Sequence, residues 1–152
     1  NGFCSMGVPL PGAIAAHLVI KDQLDGGSAD RKVFGIVGDG DFLMNVQEME
    51  TARRLDADIN LMVWEDGGFG LISWKQDNEF GRHTDMSFGN PDWLDLAKAF
   101  GWQAQYIDRS VDLRGAIDTA LDHPGPSLIV VPIDYRENPK LTQRLGDIAC
   151  TI

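Results

Sequence analysis

The stretch that decides the fold is Val33–Asp41, which reads VFGIVGDGD. Its first five residues form a short, continuous apolar run of the kind that occurs in buried strands. The glycines on either side of Asp39 let the backbone come close to a ligand. The apolar residues of Leu43–Leu55 recur at helical spacing. The sequence therefore predicts a buried strand, a glycine-rich acidic turn and then a helix.

Strand and helix patterns alternate along the rest of the chain. Further strands are predicted at Ile59–Trp64, Gln103–Ile107 and Ser127–Ile133. Helices are predicted at Pro11–Leu24, at 90–100 with Asn90-Pro91-Asp92 as the cap, and at Ser110–Leu121 with Ser110 as the cap. Continuously apolar strands separated by helices are typical of a parallel sheet that is covered on both faces. The predicted fold class is therefore α/β, a three-layer sandwich with a mostly parallel sheet and helices on both faces.

Composition excludes several classes of protein. The chain has 152 residues, of which 43% are hydrophobic and 24% charged, as in globular domains and unlike disordered chains. The net charge is −10 and no basic patch is visible, which argues against binding to nucleic acid. The apolar runs are too short to predict a membrane-spanning helix. Cys4 and Cys150 lack metal-site spacing, so reduced thiols and a cytoplasmic location are expected.

A second acidic, glycine-rich turn follows the second predicted strand. This turn is Glu65–Gly70, which reads EDGGFG. Ligands of parallel sheets bind at the carboxyl ends of the strands, so the two turns are expected to lie side by side. The helix that starts after Gly40 offers N–H groups to a phosphate, but a bare carboxylate would repel that phosphate. A bridging Mg²⁺ removes this conflict, and Asp39 and Asp66 are therefore candidate metal ligands that hold a diphosphate.

Other ligand-binding motifs do not fit this sequence. Residues Gly35–Gly40 do not match GxGxxG, and no GxxxxGK[ST] motif is present. An EF-hand counted from Asp39 would need an acid or Asn at Leu43 and a glycine at Met44. The tryptophans, Trp64 and Trp93 among them, are interpreted as packing residues.

Gly38-Asp39-Gly40, with Asp66 placed 27 residues after Asp39, resembles the GDG…N signature of thiamine-diphosphate (ThDP) enzymes. Ser5–Ala16 (SMGVPLPGAIAA) resembles their segment beneath the cofactor's aminopyrimidine. Within these enzymes the chain is most similar to the acetolactate synthase family, and to its catabolic type. The stretches that carry this likeness are Phe42–Ala52, Glu79–Arg82, Phe88–Asp92 and Val131–Pro139. The resemblance implies that residues 1–152 are a single C-terminal ThDP- and Mg²⁺-binding domain, a fragment of a longer chain.

The resemblance also implies roles for individual residues. The Mg²⁺ ligands would be the carboxylates of Asp39 and Asp66 and the main-chain carbonyl of Gly68. Met6 would lie against the pyrimidine. Asp41 would offer its N–H to the diphosphate, and its side chain is available to cap the helix. Further cofactor-binding residues are expected at Gly38, Gly40, Phe69 and Gly70. Leu71 and Lys75 would face the substrate.

The implied activity is that of acetolactate synthase. This enzyme decarboxylates pyruvate and joins the hydroxyethyl unit to a second pyruvate to give 2-acetolactate. The activating glutamate is expected from the N-terminal domain of a neighbouring subunit, so no catalytic residue is expected in this chain and the protein would be at least a homodimer. ThDP and Mg²⁺ are the expected cofactors, and FAD is left open. The alternatives are another ThDP enzyme (a 2-oxo acid decarboxylase, pyruvate oxidase or other carboligase) and a cofactor-free subunit-interaction module.

Overall fold

The computed structural model describes residues 5–23, 31–138 and 140. Four strands and six α-helices alternate along this part of the chain. The strands are β1 (Val33–Gly38), β2 (Ile59–Glu65), β3 (Gln103–Tyr106) and β4 (Ser127–Pro132). The helices are α1 (Pro9–Gln23), α2 (Asp39–Leu43), α3 (Glu48–Arg54), α4 (Gly70–Phe80), α5 (Trp93–Ala99) and α6 (Leu113–Asp122), and a short 3-10 helix spans Ser110–Asp112. The four strands predicted from the sequence are confirmed, each to within one residue at its end.

The strands form one parallel sheet in the order β1-β2-β4-β3. In the register of the sheet Gly38 lies opposite Trp64, and Trp64 lies opposite Val131. The carboxyl ends of β1, β2 and β4 therefore meet at one edge. The two glycine-rich turns, which follow β1 and β2, leave the sheet at this edge.

Helices cover both faces of the sheet, as predicted. On one face Leu61, Val63 and Val130 pack in a large core with side chains from α1, α3 and α5. Ile129 points the other way, because successive strand residues alternate between faces, and packs with Ala116 and Ala120 of α6. The three-layer α/β architecture is therefore confirmed.

The cover on the second face does not extend to β1. Phe34 and Ile36 lie on this face, and Ile36 keeps 53% of its surface exposed. The expectation that every apolar strand is covered on both faces is wrong for β1 within the described residues, because α6, the helix on this face, packs against β4. An edge strand with an exposed apolar face is a surface that another segment or chain can bury.

The helix predicted over Leu43–Leu55 is in fact two helices. α2 starts at Asp39 with no intervening loop, and residues 44–47 form a turn before α3. Hydrogen bonds in this turn run from residue i to residue i−3, for example from the N–H of Asn45 to the carbonyl of Phe42. The side chain of Asn45 bonds to the carbonyl of Gly7 at 2.6 Å, a tertiary contact that helical periodicity does not signal.

The predicted helix caps have mixed outcomes. Asp92 caps α5 by accepting hydrogen bonds from the N–H groups of Leu94 and Asp95, as expected. Ser110 begins the 3-10 helix instead and does not cap α6. Leu24, Cys4 and Cys150 lie outside the described residues.

α4 is the one helix that the sequence pattern did not predict. Its apolar residues cluster near its start and do not continue along one face at helical spacing, and none of its residues is buried. It ends at Gly81, whose φ of 70° is left-handed and favours glycine at the end of a helix. Within the described residues, no helix combines the length and the apolar character needed to cross a membrane.

The first prediction concerns the core beneath the carboxyl edge. Phe42 is 1% exposed and packs edge-on against Trp93, with ring centroids 5.9 Å apart. Replacing Phe42 with alanine leaves a cavity, so the free energy of unfolding is expected to fall by about 3–5 kcal/mol in a urea titration. Phe80, which is 72% exposed, is the matched control, and Phe80→Ala should change the free energy of unfolding by less than about 0.5 kcal/mol. Equal losses in the two variants would contradict this account of the core.

Candidate functional site

A cavity of about 460 Å³ opens at the carboxyl edge of the sheet. The segment before α1, the start of α2, the turn after β2, the first turn of α4 and the residues after β4 all contribute to its wall. The lining residues are Met6, Gly38, Asp39, Gly40, Asp41, Trp64, Asp66, Gly68, Phe69, Gly70, Leu71, Ile72 and Tyr135.

Asp39 is the most deeply buried charged residue of this wall, at 1% exposure. Its Oδ2 atom accepts hydrogen bonds from the N–H of Asp66 at 3.1 Å, the N–H of Gly67 at 2.7 Å and the Nδ2 of Asn90 at 2.8 Å. Its Oδ1 atom accepts one bond, from the N–H of Gly40 at 2.7 Å. A carboxylate oxygen has two lone pairs, so Oδ1 is the oxygen with capacity left for a further ligand.

Asp66 lies beside this buried carboxylate. Burial, and secondarily the charge of Asp39, raise the pKa of Asp66 above its usual value. Burial and the charges of Asp66 and Asp39 likewise raise the pKa of Tyr135, which also lines the cavity. Two carboxylates held together in this way favour a bound cation, because a cation relieves their mutual repulsion.

Glu65 stands behind the cavity wall and accepts hydrogen bonds from three side chains. Its Oε1 accepts from Trp93 Nε1 at 2.6 Å and from Asn90 Nδ2 at 3.1 Å, and its Oε2 accepts from the hydroxyl of Tyr106 at 2.7 Å. The hydrogen bond to Glu65, followed by burial, raises the pKa of Tyr106 to about 12. Tyr106 therefore remains a hydrogen-bond donor at neutral pH.

Asp41 fastens the segment before α1 to α2. Its Oδ1 accepts a hydrogen bond from the N–H of Gly7, and Asn45 Nδ2 donates to the carbonyl of the same residue. Gly7 has a φ of 86°, and a Cβ there would meet the side chain of Asn45. The expectation that the Asp41 side chain serves as a helix cap is wrong, because it instead positions the segment that carries Met6 over the cavity.

The turn after β2 is clamped by residues 86–88. The N–H of Phe69 donates to the carbonyl of Met86 at 2.8 Å, and the N–H of Phe88 donates to the carbonyl of Gly67 at 2.9 Å. The rings of Phe69 and Phe88 pack at 5.0 Å between centroids. These contacts hold Gly68 and the start of α4 in place at the cavity.

Of the eleven site residues predicted from the sequence, ten line this cavity. The exception is Lys75, which lies one turn of α4 beyond Leu71 and is absent from the wall. Their roles toward a ligand stay predictions.

The cavity also has lining residues that sequence reasoning missed. Trp64, Ile72 and Tyr135 belong to its wall. Trp64 is half exposed there, so its interpretation as a packing residue is wrong, whereas Trp93 is buried as expected. The sequence did contain a signal for the placement of Trp64 in the cavity wall, because Trp64 lies at the end of β2, directly before the acidic turn.

The donor set fits a hard divalent cation only if other oxygens contribute. Within residues 5–23, 31–138 and 140, no three His, Cys, Asp or Glu side chains converge as a metal site. Of the three carboxylates in the cavity wall, that of Asp41 is held by the N–H of Gly7, which leaves Asp39 and Asp66, with Gly68 two residues after Asp66. Mg²⁺ commonly takes one or two carboxylates and completes its shell with phosphate oxygens and water, so this set fits a diphosphate-bound Mg²⁺.

Comparison with known proteins identifies the family. The family described as "Thiamine pyrophosphate enzyme, C-terminal TPP binding domain" matches residues 1–131. The chain belongs to this family. Thiamine pyrophosphate is another name for thiamine diphosphate, so the resemblance expected from the GDG turn is confirmed at the level of the family.

Curated relatives are acetolactate synthases. The chain is 36% identical over 145 residues to the catabolic acetolactate synthase of Raoultella terrigena, which is 95% of this chain and 24% of that protein. It is 33% identical over 156 residues to the acetolactate synthase of Bacillus subtilis strain 168, which is 99% of this chain and 26% of that protein. The chain therefore spans about a quarter of the length of these relatives.

A solved structure supports the same fold. The ThDP-dependent 4-hydroxybenzoylformate decarboxylase of Rhodococcus jostii RHA1 superimposes with a TM-score of 0.74 at 23% identity, covering 87% of this chain and 24% of that chain. This likeness shows the α/β fold of the ThDP-binding domain.

The second prediction tests the clamp around the second glycine-rich turn. A Cβ on Gly68 would lie 2.8 Å from the carbonyl oxygen of Met86, whereas a Cβ on Gly38 would meet nothing within 4 Å. Gly68→Ala is therefore expected to lower the free energy of unfolding by about 1–3 kcal/mol, measured by chemical denaturation without cofactor. Gly38→Ala is the matched control and should leave that free energy unchanged or slightly raised, because alanine restricts the unfolded chain. A larger loss in Gly38→Ala than in Gly68→Ala would contradict the clamp.

The third prediction concerns the paired carboxylates in the cofactor-free protein. The pKa of Asp66 is higher in the folded state than in the unfolded chain, so its contribution to stability is present at low pH and is lost as the pH rises through the folded-state pKa. Asp66→Asn removes this charge and should raise the free energy of unfolding at pH 7 but not below the pKa of an ordinary aspartate. Urea titrations across this pH range measure the difference. Asp85→Asn is the control, since Asp85 is exposed and has a φ of 49° that asparagine tolerates. An Asp66→Asn protein that is less stable at pH 7 would refute the repulsion.

Proposed function

We propose that this chain is the C-terminal cofactor domain of an acetolactate synthase of the catabolic type. The observation that carries the proposal is the cavity at the carboxyl edge, which brings Asp39, Asp66 and Gly68 together within a domain of the thiamine pyrophosphate enzyme family. Identity of 36% to a catabolic acetolactate synthase over 95% of the chain supports the choice of activity.

In this proposal the cavity residues hold the cofactor through its metal. The carboxylates of Asp39 and Asp66 and the carbonyl of Gly68 would bind Mg²⁺, which binds the diphosphate in turn. Asp41 would present its N–H at the start of α2, and Met6, in the segment that Asp41 holds, would contact the organic part of the cofactor. When bound, ThDP supplies the electron-accepting ring that decarboxylation of a 2-oxo acid requires.

The substrate is proposed to enter over α4. Leu71 is 68% exposed at the rim of the cavity, next to Ile72, and Lys75 lies one turn further along the same helix. Pyruvate is the proposed 2-oxo acid. An apolar rim suits the methyl group of pyruvate, and Lys75 would attract its carboxylate as it approaches.

The described chain does not provide an evident general base for the reaction. The ionisable side chains in the described cavity wall are Asp39, Asp41, Asp66 and Tyr135. Asp39 and Asp41 accept hydrogen bonds from backbone N–H groups, Asp66 is assigned to Mg²⁺ in this proposal, and the pKa of Tyr135 is raised. As the resemblance to acetolactate synthases implies, the activating glutamate is proposed to come from the N-terminal domain of a neighbouring subunit, which makes the active protein at least a homodimer.

Two exposed features support a longer, oligomeric chain. Phe34 and Ile36 leave one apolar face of β1 open, and α4 has no buried residue. Surfaces of this kind are commonly covered by other domains or subunits. The proposed setting is a cytoplasmic enzyme whose remaining domains account for the other three quarters of the relatives' length.

The fourth prediction tests the activity in the complete chain. Incubation with pyruvate, ThDP and Mg²⁺, without added FAD, is expected to yield acetolactate, which is measured as acetoin after acid decarboxylation. Chelation of the metal should abolish the product, and added Mg²⁺ should restore it. Asp66→Ala should lose most of the product, because a ligand to the proposed metal is removed, whereas Asp85→Asn is the exposed control and should keep it.

Other products would redirect the proposal. Carbon dioxide with acetaldehyde would support a decarboxylase built on the same cofactor domain, and consumption of oxygen would support an oxidase. A protein that turns over no 2-oxo acid and retains no ThDP would leave the interaction-module hypothesis.

A further inference from the structure

Asn90 connects the cavity to a polar network outside it. Its Nδ2 atom donates one hydrogen bond to Asp39 Oδ2 at 2.8 Å and a second to Glu65 Oε1 at 3.1 Å. Asn90 lies in the loop just before α5, 51 residues from Asp39 in sequence. A single amide group thus bridges the carboxylate of Asp39, which follows β1, and the carboxylate of Glu65, which ends β2.

Only a donor fits at this position. A carboxylate oxygen accepts hydrogen bonds and donates none, so two carboxylates on one side of Asn90 require its NH₂ group there. The opposite orientation of the amide would place its oxygen against two anionic oxygens. Asn90 Oδ1 is buried and has no partner within the part of the chain that the structure describes, so the amide is held entirely through its NH₂ group.

The far side of the network fixes where Asn90 can lie. Glu65 is held by the indole of Trp93 on α5 and by the hydroxyl of Tyr106 at the end of β3. Trp93 is buried in the core against Phe42. The Glu65 carboxylate is therefore immobilised by the fold, and it orients the amide toward Asp39.

This orientation acts on one oxygen of Asp39. The three N–H donors from Asp66, Gly67 and Asn90 saturate Oδ2, while Oδ1 keeps acceptor capacity after its single bond from Gly40. Rotation of the carboxylate about its Cβ–Cγ bond would break the Asn90 bond. Together with the N–H groups of Asp66 and Gly67, the hydrogen bond from Asn90 therefore fixes the plane of the carboxylate, so that one oxygen is saturated and the other remains available to a ligand.

We propose that Asn90 is a positioning residue for metal binding, which holds Asp39 in the orientation that ligates Mg²⁺. The inference rests on the proposed function, because it takes Asp39 as a ligand of diphosphate-bound Mg²⁺. Asn90 itself does not belong to the cavity wall, so its proposed effect on the metal passes through Asp39.

The test is Mg²⁺ affinity in the complete chain. Isothermal titration with Mg²⁺, at saturating ThDP, is expected to give a dissociation constant about tenfold higher for Asn90→Ala than for the wild type, since a hydrogen bond to a charged group is lost. Asn90→Asp should weaken binding further, because it places a third carboxylate against Asp39 and Glu65. Activity plotted against Mg²⁺ concentration should shift to higher concentration and reach nearly the wild-type plateau.

Controls separate positioning from a general loss of fold. Asn78→Asp is the matched charge control, because Asn78 is exposed on α4, and it should leave Mg²⁺ affinity unchanged. Asn90→Ser, which keeps a shorter donor, is a second variant in case Asn90→Asp does not fold, and its Mg²⁺ affinity should lie between those of the wild type and Asn90→Ala. Thermal melts of the cofactor-free proteins establish that each variant is folded at the temperature of the titration.

The outcomes distinguish this inference from the proposed function. Wild-type binding of Mg²⁺ with ThDP, together with an unchanged or lower dissociation constant in folded Asn90→Ala, would overturn the role of Asn90 and leave the function standing. A lowered plateau with unchanged Mg²⁺ affinity would also overturn it. A wild-type chain that binds neither Mg²⁺ nor ThDP would overturn both.

Discussion

The carboxylate of Asp39 is the group on which the carboxyl edge of this domain depends. A buried charge is costly unless it is hydrogen-bonded, and Asp39 is satisfied by donors from three separate segments. These segments are the start of α2, the turn after β2 and the loop before α5. The positions of these three segments at the edge of the sheet are constrained, because each must place an N–H group within hydrogen-bonding distance of the Asp39 carboxylate.

This constraint explains the glycines around the site. The N–H of Gly67 reaches Asp39 from a residue with a φ of 68°, a conformation that favours glycine. Gly40 cannot carry a side chain without pressing on the rings of Phe69 and Phe88, at 3.0 Å from each. The glycines thus permit close packing of the turns around one charge, and the same packing leaves an open cavity in front of it.

The sequence predicts the parts of this fold that have local signals. Apolar runs predicted β1, β2 and β4, and the position of the acidic turns after β1 and β2 predicted most of the cavity wall. α4 was missed because none of its faces is buried. The division between α2 and α3 was missed because it involves a long-range contact, in which the side chain of Asn45 donates a hydrogen bond to the carbonyl of Gly7. Trp64 reaches the cavity because of the register of β2, and Tyr135 because it lies in the segment after β4. Periodicity within a single segment signals neither position.

The inner part of the cavity and its rim differ in charge and in exposure. The described chain supplies the inner part of the cavity, where carboxylates and backbone N–H groups are held rigidly by the sheet. Its rim is apolar and exposed at Leu71 and Ile72, on a helix that makes little contact with the rest of the domain. A rigid acidic floor suits a metal-bound diphosphate, whereas a loosely packed rim suits closure by another surface. Chemistry that requires a proton acceptor and exclusion of water would therefore be completed where that second surface meets α4.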